Sequence, residues 1–338
     1  MKLHLGSLTL LRRVMTPCFV IASVYVTAFG ESLHYIPREL FEVRFGTQSY
    51  QLGRNVREGE FNGPLRFIVG ENEHFYIDDL SNTRVAEYDN MGKFLTAFVF
   101  PSSDQIKEIV LDADEHLWII AENDIKQMFN YLVYDKHGQL LKASDLPVDL
   151  NVIRSFRTSN NRFITCFSHA ERPSGGAYKE TSEKSTCFRI DSIQLVLEPI
   201  NLENFGHSGD ALGNPESRLD FSATPRPRIF VSNGSMKKSL SGILRIAKDG
   251  RMFKQRSLRE FEVYNSSCDL EVTTLIGGFS HTGKFIDANG DIYQMDYMPD
   301  VSDAMLKPMT HIPSTQDVED LHYSVDMPGI RMIKWERK

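Results

Sequence analysis

The sequence is short of four things. Cysteine occurs only 4 times in 338 residues, and 38 Lys and Arg are outnumbered by 45 Asp and Glu. No long segment spaces its apolar residues at i, i+3 and i+4, and nothing beyond residue 30 is apolar enough to cross a bilayer. The acidic balance, a formal net charge of -7, argues against nucleic acid as a partner, because affinity for phosphates comes chiefly from Lys and Arg. The missing helical spacing excludes a mainly helical fold. The missing apolar runs exclude a membrane-spanning helix in the body of the chain. What is present is an ordinary globular balance, 41% hydrophobic and 25% charged, so disorder is not the expectation.

The first thirty residues stand apart. Lys2, Arg12 and Arg13 precede the uncharged stretch VMTPCFVIASVYVTAFG, which closes on Ala28, Phe29 and Gly30. That order of basic, apolar and small-x-small segments predicts a secretory signal peptide at residues 1–30, with the mature domain at 31–338. An uncleaved anchor would need roughly 20 apolar residues, and this stretch is shorter and holds Pro17. Cys18 lacks the small preceding residue that lipid attachment requires. Removing residues 1–30 takes three basic and no acidic side chains, moving the formal charge from -7 to -10. The expected compartment is periplasmic or extracellular, and there the remaining Cys166, Cys187 and Cys268 allow one bridge.

Glycine, asparagine and aspartate punctuate short β-type runs along the whole chain. A turn followed by an aromatic or β-branched strand recurs in GENEHFYIDD, DADEHLWIIAE, TSNNRFITCF, TPRPRIFVSN and DANGDIYQMDY. In four of the five a second strand with its own turn follows: RVAEYDNMGKFL, YLVYDKHGQLL, STCFRIDSIQL and GILRIAKDGRMF. Taking Phe75, Leu117, Phe163, Ile229 and Ile292 as equivalent gives intervals of 42, 46, 66 and 63 residues. A unit of about 40–50 residues built as strand, turn, strand, turn predicts the blade of an all-β propeller. Five blades are visible, and the long intervals leave room for a sixth. Two terminal runs, LFEVRF (40–45) and GIRMIKWERK (329–338), are expected to close the ring in the same or adjacent sheets.

One stretch resembles a family. Gly63 and Pro64 followed by FYIDDLSNTRVAEYDNMGKFL is similar to the NHL-type repeat of six-bladed propellers, the match falling on Asp79, Asn82, Arg84, Val85, Asp89 and Gly92. The upstream FGTQSYQLG and EGEFNGP resemble the lead-in of exported bacterial proteins of this kind. The resemblance covers about residues 45–95 and implies a propeller, whose relatives range from binding scaffolds to a few enzymes. Physically, Asp79 and Asn82 suit a turn needing side-chain acceptors, Arg84 is expected to pair with Asp79 on a solvent-facing edge, and Gly92 and Gly138 sit where a tight turn needs positive φ.

Other candidate chemistry is sparse. DANGD (287–291) alternates carboxylate and amide oxygens as a calcium loop does, but lacks the distal glutamate of the EF-hand and reads equally as a turn. His169, His207 and His281 could meet in a channel and hold zinc, although no two have ligand spacing. Ser235 in SNGSMKKS has no G-x-S-x-G context. Asn233 and Asn265 fit the glycosylation triplet. The polar segment 171–184 reads as a long exposed hairpin tip. Cys166 and Cys187 are placed opposite each other by a hairpin centred between Gly176 and Ala177, which predicts a disulfide. The expected function is binding or scaffolding through the loop face and channel mouth, with a protein or glycan ligand and no cofactor. The alternative is a hydrolase or lyase with a divalent cation in the central channel.

Overall fold

The computed structural model describes residues 35–57, 60–101, 104–123, 128–146, 150–157, 163–171, 179–199, 217–220, 228–233, 236–241, 243–256, 260–275, 284–298 and 328–337. The chain divides into Met1–His34 and Tyr35–Lys338, and everything described belongs to the second unit. The expected signal peptide, residues 1–30, lies outside the described residues.

The unit is almost wholly strand. β1 (Tyr35–Arg44) is followed by a small pair, β2 (Asn55–Arg57) and β3 (Glu60–Asn62). Two four-stranded meanders come next: β4 (Phe67–Val69), β5 (Phe75–Asp79), β6 (Arg84–Tyr88) and β7 (Phe94–Val99), then β8 (Asp104–Leu111), β9 (Leu117–Asn123), β10 (Met128–Tyr134) and β11 (Leu140–Asp145). A third consists of β12 (Leu150–Arg157), β13 (Phe163–Glu171), β14 (Lys179–Asp191) and β15 (Val196–Pro199). β16 (Ser217–Asp220), β17 (Arg228–Asn233) and β18 (Met236–Ser241) make a three-stranded sheet. β19 (Ile243–Ile246), β20 (Met252–Gln255), β21 (Glu260–Tyr264) and β22 (Leu270–Leu275) form a fourth meander. The last strands, β23 (Lys284–Ile286), β24 (Ile292–Tyr297) and β25 (Gly329–Arg337), share a sheet with β1 in the order β1-β25-β24-β23. The two terminal runs are therefore direct neighbours, antiparallel from Tyr35 opposite Arg337 to Arg44 opposite Gly329. The arrangement is that of an all-β propeller.

The expected blade count needs correction. The meanders β12–β15 and β19–β22 are joined into one eight-stranded sheet by a single parallel pair, Arg157 with Arg245. The described residues thus give four sheets of four or more strands, in place of five blades with room for a sixth. GILRIAKDGRMF, expected to close the unit led by TPRPRIFVSN, instead forms β19, its turn and the start of β20.

Turn chemistry explains that error. Seven turns among the described residues, at 70–74, 89–93, 112–116, 135–139, 247–251, 265–269 and 287–291, share one geometry. The first residue's N–H donates to the fifth carbonyl, and the fourth's N–H donates to the first carbonyl. The fourth residue has positive φ, from 55° at Glu73 to 88° at Gly290, as in a three-residue hairpin loop with a left-handed closing residue. In five of them a side-chain oxygen of Asp89, Asp112, Asp135, Asn265 or Asp287 accepts the N–H groups of the third and fifth residues. The same device links first to second strands and third to fourth strands, so a Lys-Asp-Gly turn does not announce its place in a blade. DANGD is one of these turns, its Asp287 carboxylate spent on Asn289 and Asp291 N–H. Gly92, at φ 77°, also meets a steric demand, because a Cβ there would lie 2.7 Å from the Phe41 ring.

Inner strands are packed on both faces, as in β5 (FYIDD) and β24 (IYQMDY), which are buried throughout. Along β5, Phe75 and Ile77 pack toward the sheet of the terminal strands, with Phe41, Tyr293 and Met332. Tyr76 packs the opposite way, with Ile109, Leu117 and Tyr134 of the next sheet. Further clusters join Trp118 and Tyr131 to Phe188 and Leu197, and Tyr35 and Trp335 to Phe253 and Phe261. Each such side chain contributes roughly 1.5–3 kcal/mol through the apolar area it removes from water.

In β13 and β14, Cys166 stands opposite Cys187, and the register shifts between Ser168 and Ala170. Cys187 is buried and disulfide-bonded. Peptide mapping without reductant is expected to recover one linked peptide joining Cys166 to Cys187. Equal thiol titres before and after reduction would count against it.

Candidate functional site

A cavity of about 620 Å³ opens where the turns 70–74, 112–116, 247–251 and 287–291 converge, with Lys136 and His137 of a fifth turn beside them. These turns follow the first strands β4, β8, β19 and β23, so the cavity lies at their common end. Its inner wall is formed by Val69, Leu111, Tyr76, Phe285 and Tyr293. Volume and mixed lining are those of a small-molecule pocket.

Two charged constellations hold the wall in shape. Lys334 sends its Nζ from β25 to Glu73 Oε1 at 2.9 Å and to Asp291 Oδ2 at 3.1 Å, 5.2 Å from the centre of the Tyr293 ring. Burial alone would lower the Lys334 ammonium, but the hydrogen bonds to Glu73, Tyr293 and Asp291 outweigh it and leave the lysine raised. Glu73 is lowered in turn, chiefly by its bond to Lys334. The second constellation centres on Glu87, which is 6% exposed. Its Oε1 lies 2.8 Å from His74 Nδ1 and accepts Tyr76 O–H at 3.1 Å. Burial first, and then the Glu87 charge, push the Tyr76 phenol well up.

A third group, Asp112, Asp114 and His116, brings its ligand atoms within 4.8 Å of one another. It comes from a single turn, and Asp112 is already spent. Its Oδ1 takes the N–H of Asp114 and His116, and its Oδ2 meets His116 Nδ1 at 3.0 Å and Trp118 Nε1–H at 2.9 Å. Those contacts fill the roughly four lone-pair sites of a carboxylate.

The expected site residues fare unevenly. His169 lies in β13, opposite Leu150. His207, His281, Ser235 and residues 172–178 lie outside the described residues. Asn233 ends β17, and the Asn265 oxygen caps its own turn. The Arg84–Asp79 pair forms at 2.7 Å but is buried, side chains 10% and 0% exposed, not on a solvent-facing edge. Asp79 caps no helix. Its Oδ1 accepts Gly53 N–H, and its Oδ2 accepts from Asn82 and Arg84. Arg84 also donates to the carbonyls of Ser49 and Gln51, so the signature clamps the incoming segment 49–53.

Sequence reasoning passed over Glu73, His74, Glu87 and Lys334. Aligning GENEH, DADEH, AKDGR and DANGD as equivalent turns would have put their side chains at one end of the sheets and marked the first two.

No family model matches the chain, and no curated protein matches it. Among solved structures, it is similar to a streptogramin B lyase at 9% identity over 90% of this chain and 97% of that one, TM-score 0.43. It is also similar to regucalcin, a calcium-binding protein from Agrobacterium tumefaciens, at 10% identity over 87% and 96%, TM-score 0.44. A third is the PQQ-bound aldose sugar dehydrogenase of Streptomyces coelicolor, at 11% identity over 90% and 98%, TM-score 0.43. The propeller arrangement of this chain stands on its own sheet topology.

Proposed function

We propose that this chain is an exported, NHL-like β-propeller that works as a binding or scaffold module, taking a protein or glycan ligand at the channel mouth. The observation that carries the reading is the 620 Å³ cavity fed by turns of several sheets. Its charged walls are fixed by partners within the protein, Lys334 by Glu73 and Asp291, and His74 by Glu87. A wall already held in place loses little freedom on binding, which favours affinity. No serine, threonine or cysteine is among the described residues lining it.

The alternative, a hydrolase or lyase working through a divalent cation, is separated by one set of measurements. Protein secreted by an exporting host is expected to begin at Glu31, to carry no stoichiometric metal, and to leave lactone, ester and glycan substrates unturned with or without chelator. Tightly held metal together with chelator-sensitive turnover would replace the binding reading by the enzyme. Secreted protein that begins at Met1 would refute cleavage.

A further inference from the structure

We infer that the cavity recognises a neutral, hydroxyl-rich ligand, a sugar ring of a glycan, with Glu87 and His74 as the recognising pair; this rests on the binding reading above. Glu87 is 6% exposed, yet it lines the cavity. Its Oε1 is occupied by His74 Nδ1 and the Tyr76 hydroxyl. Among the described residues, neither Glu87 Oε2 nor His74 Nε2 has a hydrogen-bond partner. Glu87 Oε2 is left open to the cavity as an acceptor, beside the imidazole of His74. A ligand hydroxyl donating to Oε2, with a neighbouring hydroxyl on the imidazole nitrogen, would satisfy both atoms. A pair of adjacent hydroxyls is the chemistry that supplies both contacts.

The charges around the pair select against ions of either sign. Glu71, Glu73, Glu115 and Asp287 face an incoming anion with like charge. The buried Arg245 and the exposed Lys136 and Lys248 do the same to an ammonium group. Like-charge juxtaposition is one means by which a site excludes wrong partners. A neutral polyol meets no such opposition and finds donors and acceptors on every wall. The rings of Tyr76, Phe285 and Tyr293 add apolar surface for the C–H face of a sugar. A peptide N–H can also donate to Glu87 Oε2, which is why an uncharged peptide is one of the probes.

The test is ligand-observed NMR and calorimetry on the folded mature protein. The probes are neutral trisaccharides of glucose, mannose, xylose and N-acetylglucosamine, an oligogalacturonate, a chitosan trimer and an uncharged hexapeptide. At least one neutral trisaccharide is expected to bind, weakened about tenfold or more by Glu87→Gln, as loss of a hydrogen bond to a charged group predicts. His74→Ala, a change at a third-exposed side chain that leaves the core alone, should weaken it similarly and serves if the Glu87 variant misfolds. If only the charged oligomers or the peptide bind, and these variants weaken them, the neutral-ligand inference is overturned while the binding reading stands. If no probe binds, the inference falls. Chelator-sensitive turnover would remove the binding reading as well.

Discussion

Arg84→Met is expected to be the most damaging single substitution in the described fold, lowering stability by about 3–5 kcal/mol. That is the cost of stranding one member of a buried ion pair. The arginine serves three partners at once, the Asp79 carboxylate at 2.7 Å and the carbonyls of Ser49 and Gln51. Without it, among the described residues Asp79 keeps bonds from Gly53 N–H and Asn82, and a fully buried carboxylate loses the cation paired with it. At about 2–4 °C per kcal/mol, the thermal midpoint should fall by roughly 10 °C. Adding Asp79→Asn to the variant removes the stranded charge and should restore part of the loss, a coupling that a double-mutant cycle reads directly. A loss under 1 kcal/mol for Arg84→Met, or strictly additive effects in the cycle, would show the clamp to be incidental.

The second large effect is one of pH. Asp78 is fully buried, and burial pushes its carboxyl up from 3.8 to about 6. The N–H groups of Leu65 and Arg66, both donating to Oδ1, and the Arg66 guanidinium 3.7 Å from Oδ2, pull it only part of the way back. Oδ2 itself accepts no hydrogen bond. Between these two values the folded chain holds a proton that the unfolded chain has released. The group's contribution is therefore fully present below pH 3.8 and lost as pH rises through about 6. At 1.36 kcal/mol per pH unit, the loss is on the order of 3 kcal/mol. Asp78→Asn keeps an acceptor for the two N–H groups and cannot ionise. The stability of the variant minus that of the native protein should thus rise by roughly 2.5 kcal/mol between pH 4 and pH 8, flattening above pH 6.5. Denaturant titrations at several pH values measure it. A difference that stays constant with pH would mean that Asp78 ionises without penalty.

Much of the architecture is legible in the residues. Phe75, Leu117, Phe163, Ile229 and Ile292, aligned by pattern alone, all fall in the second strand of their sheets, β5, β9, β13, β17 and β24. They stand out because sheets buried on both faces demand near-continuous apolar runs between turns. The grouping of strands is less legible, since Ala247 to Arg251 forms the same hydrogen-bonded turn as Asp89 to Lys93 and only the contacts beyond it distinguish a first hairpin from a last one. The cavity was hidden for a related reason. Glu87 in RVAEY and Lys334 in MIKW read as the outward half of an alternating strand. An inner strand packed on both faces has no outward half, and each is buried against a partner from a turn, His74 in one case, Glu73 and Asp291 in the other. Sequence spacing carries no trace of partners 261 residues apart, as Glu73 and Lys334 are.

The order of strands in the terminal sheet also governs how the chain can fold. β25 lies between β1 and β24, so the interior of that sheet is filled by a strand far along the sequence from β1, with Glu39 paired to Arg331 across 292 residues. Until that strand pairs, β1 has no sheet to join, and contacts this distant in sequence close slowly. The other sheets can assemble from strands close in sequence, whereas the terminal sheet is completed only when its most distant partners meet.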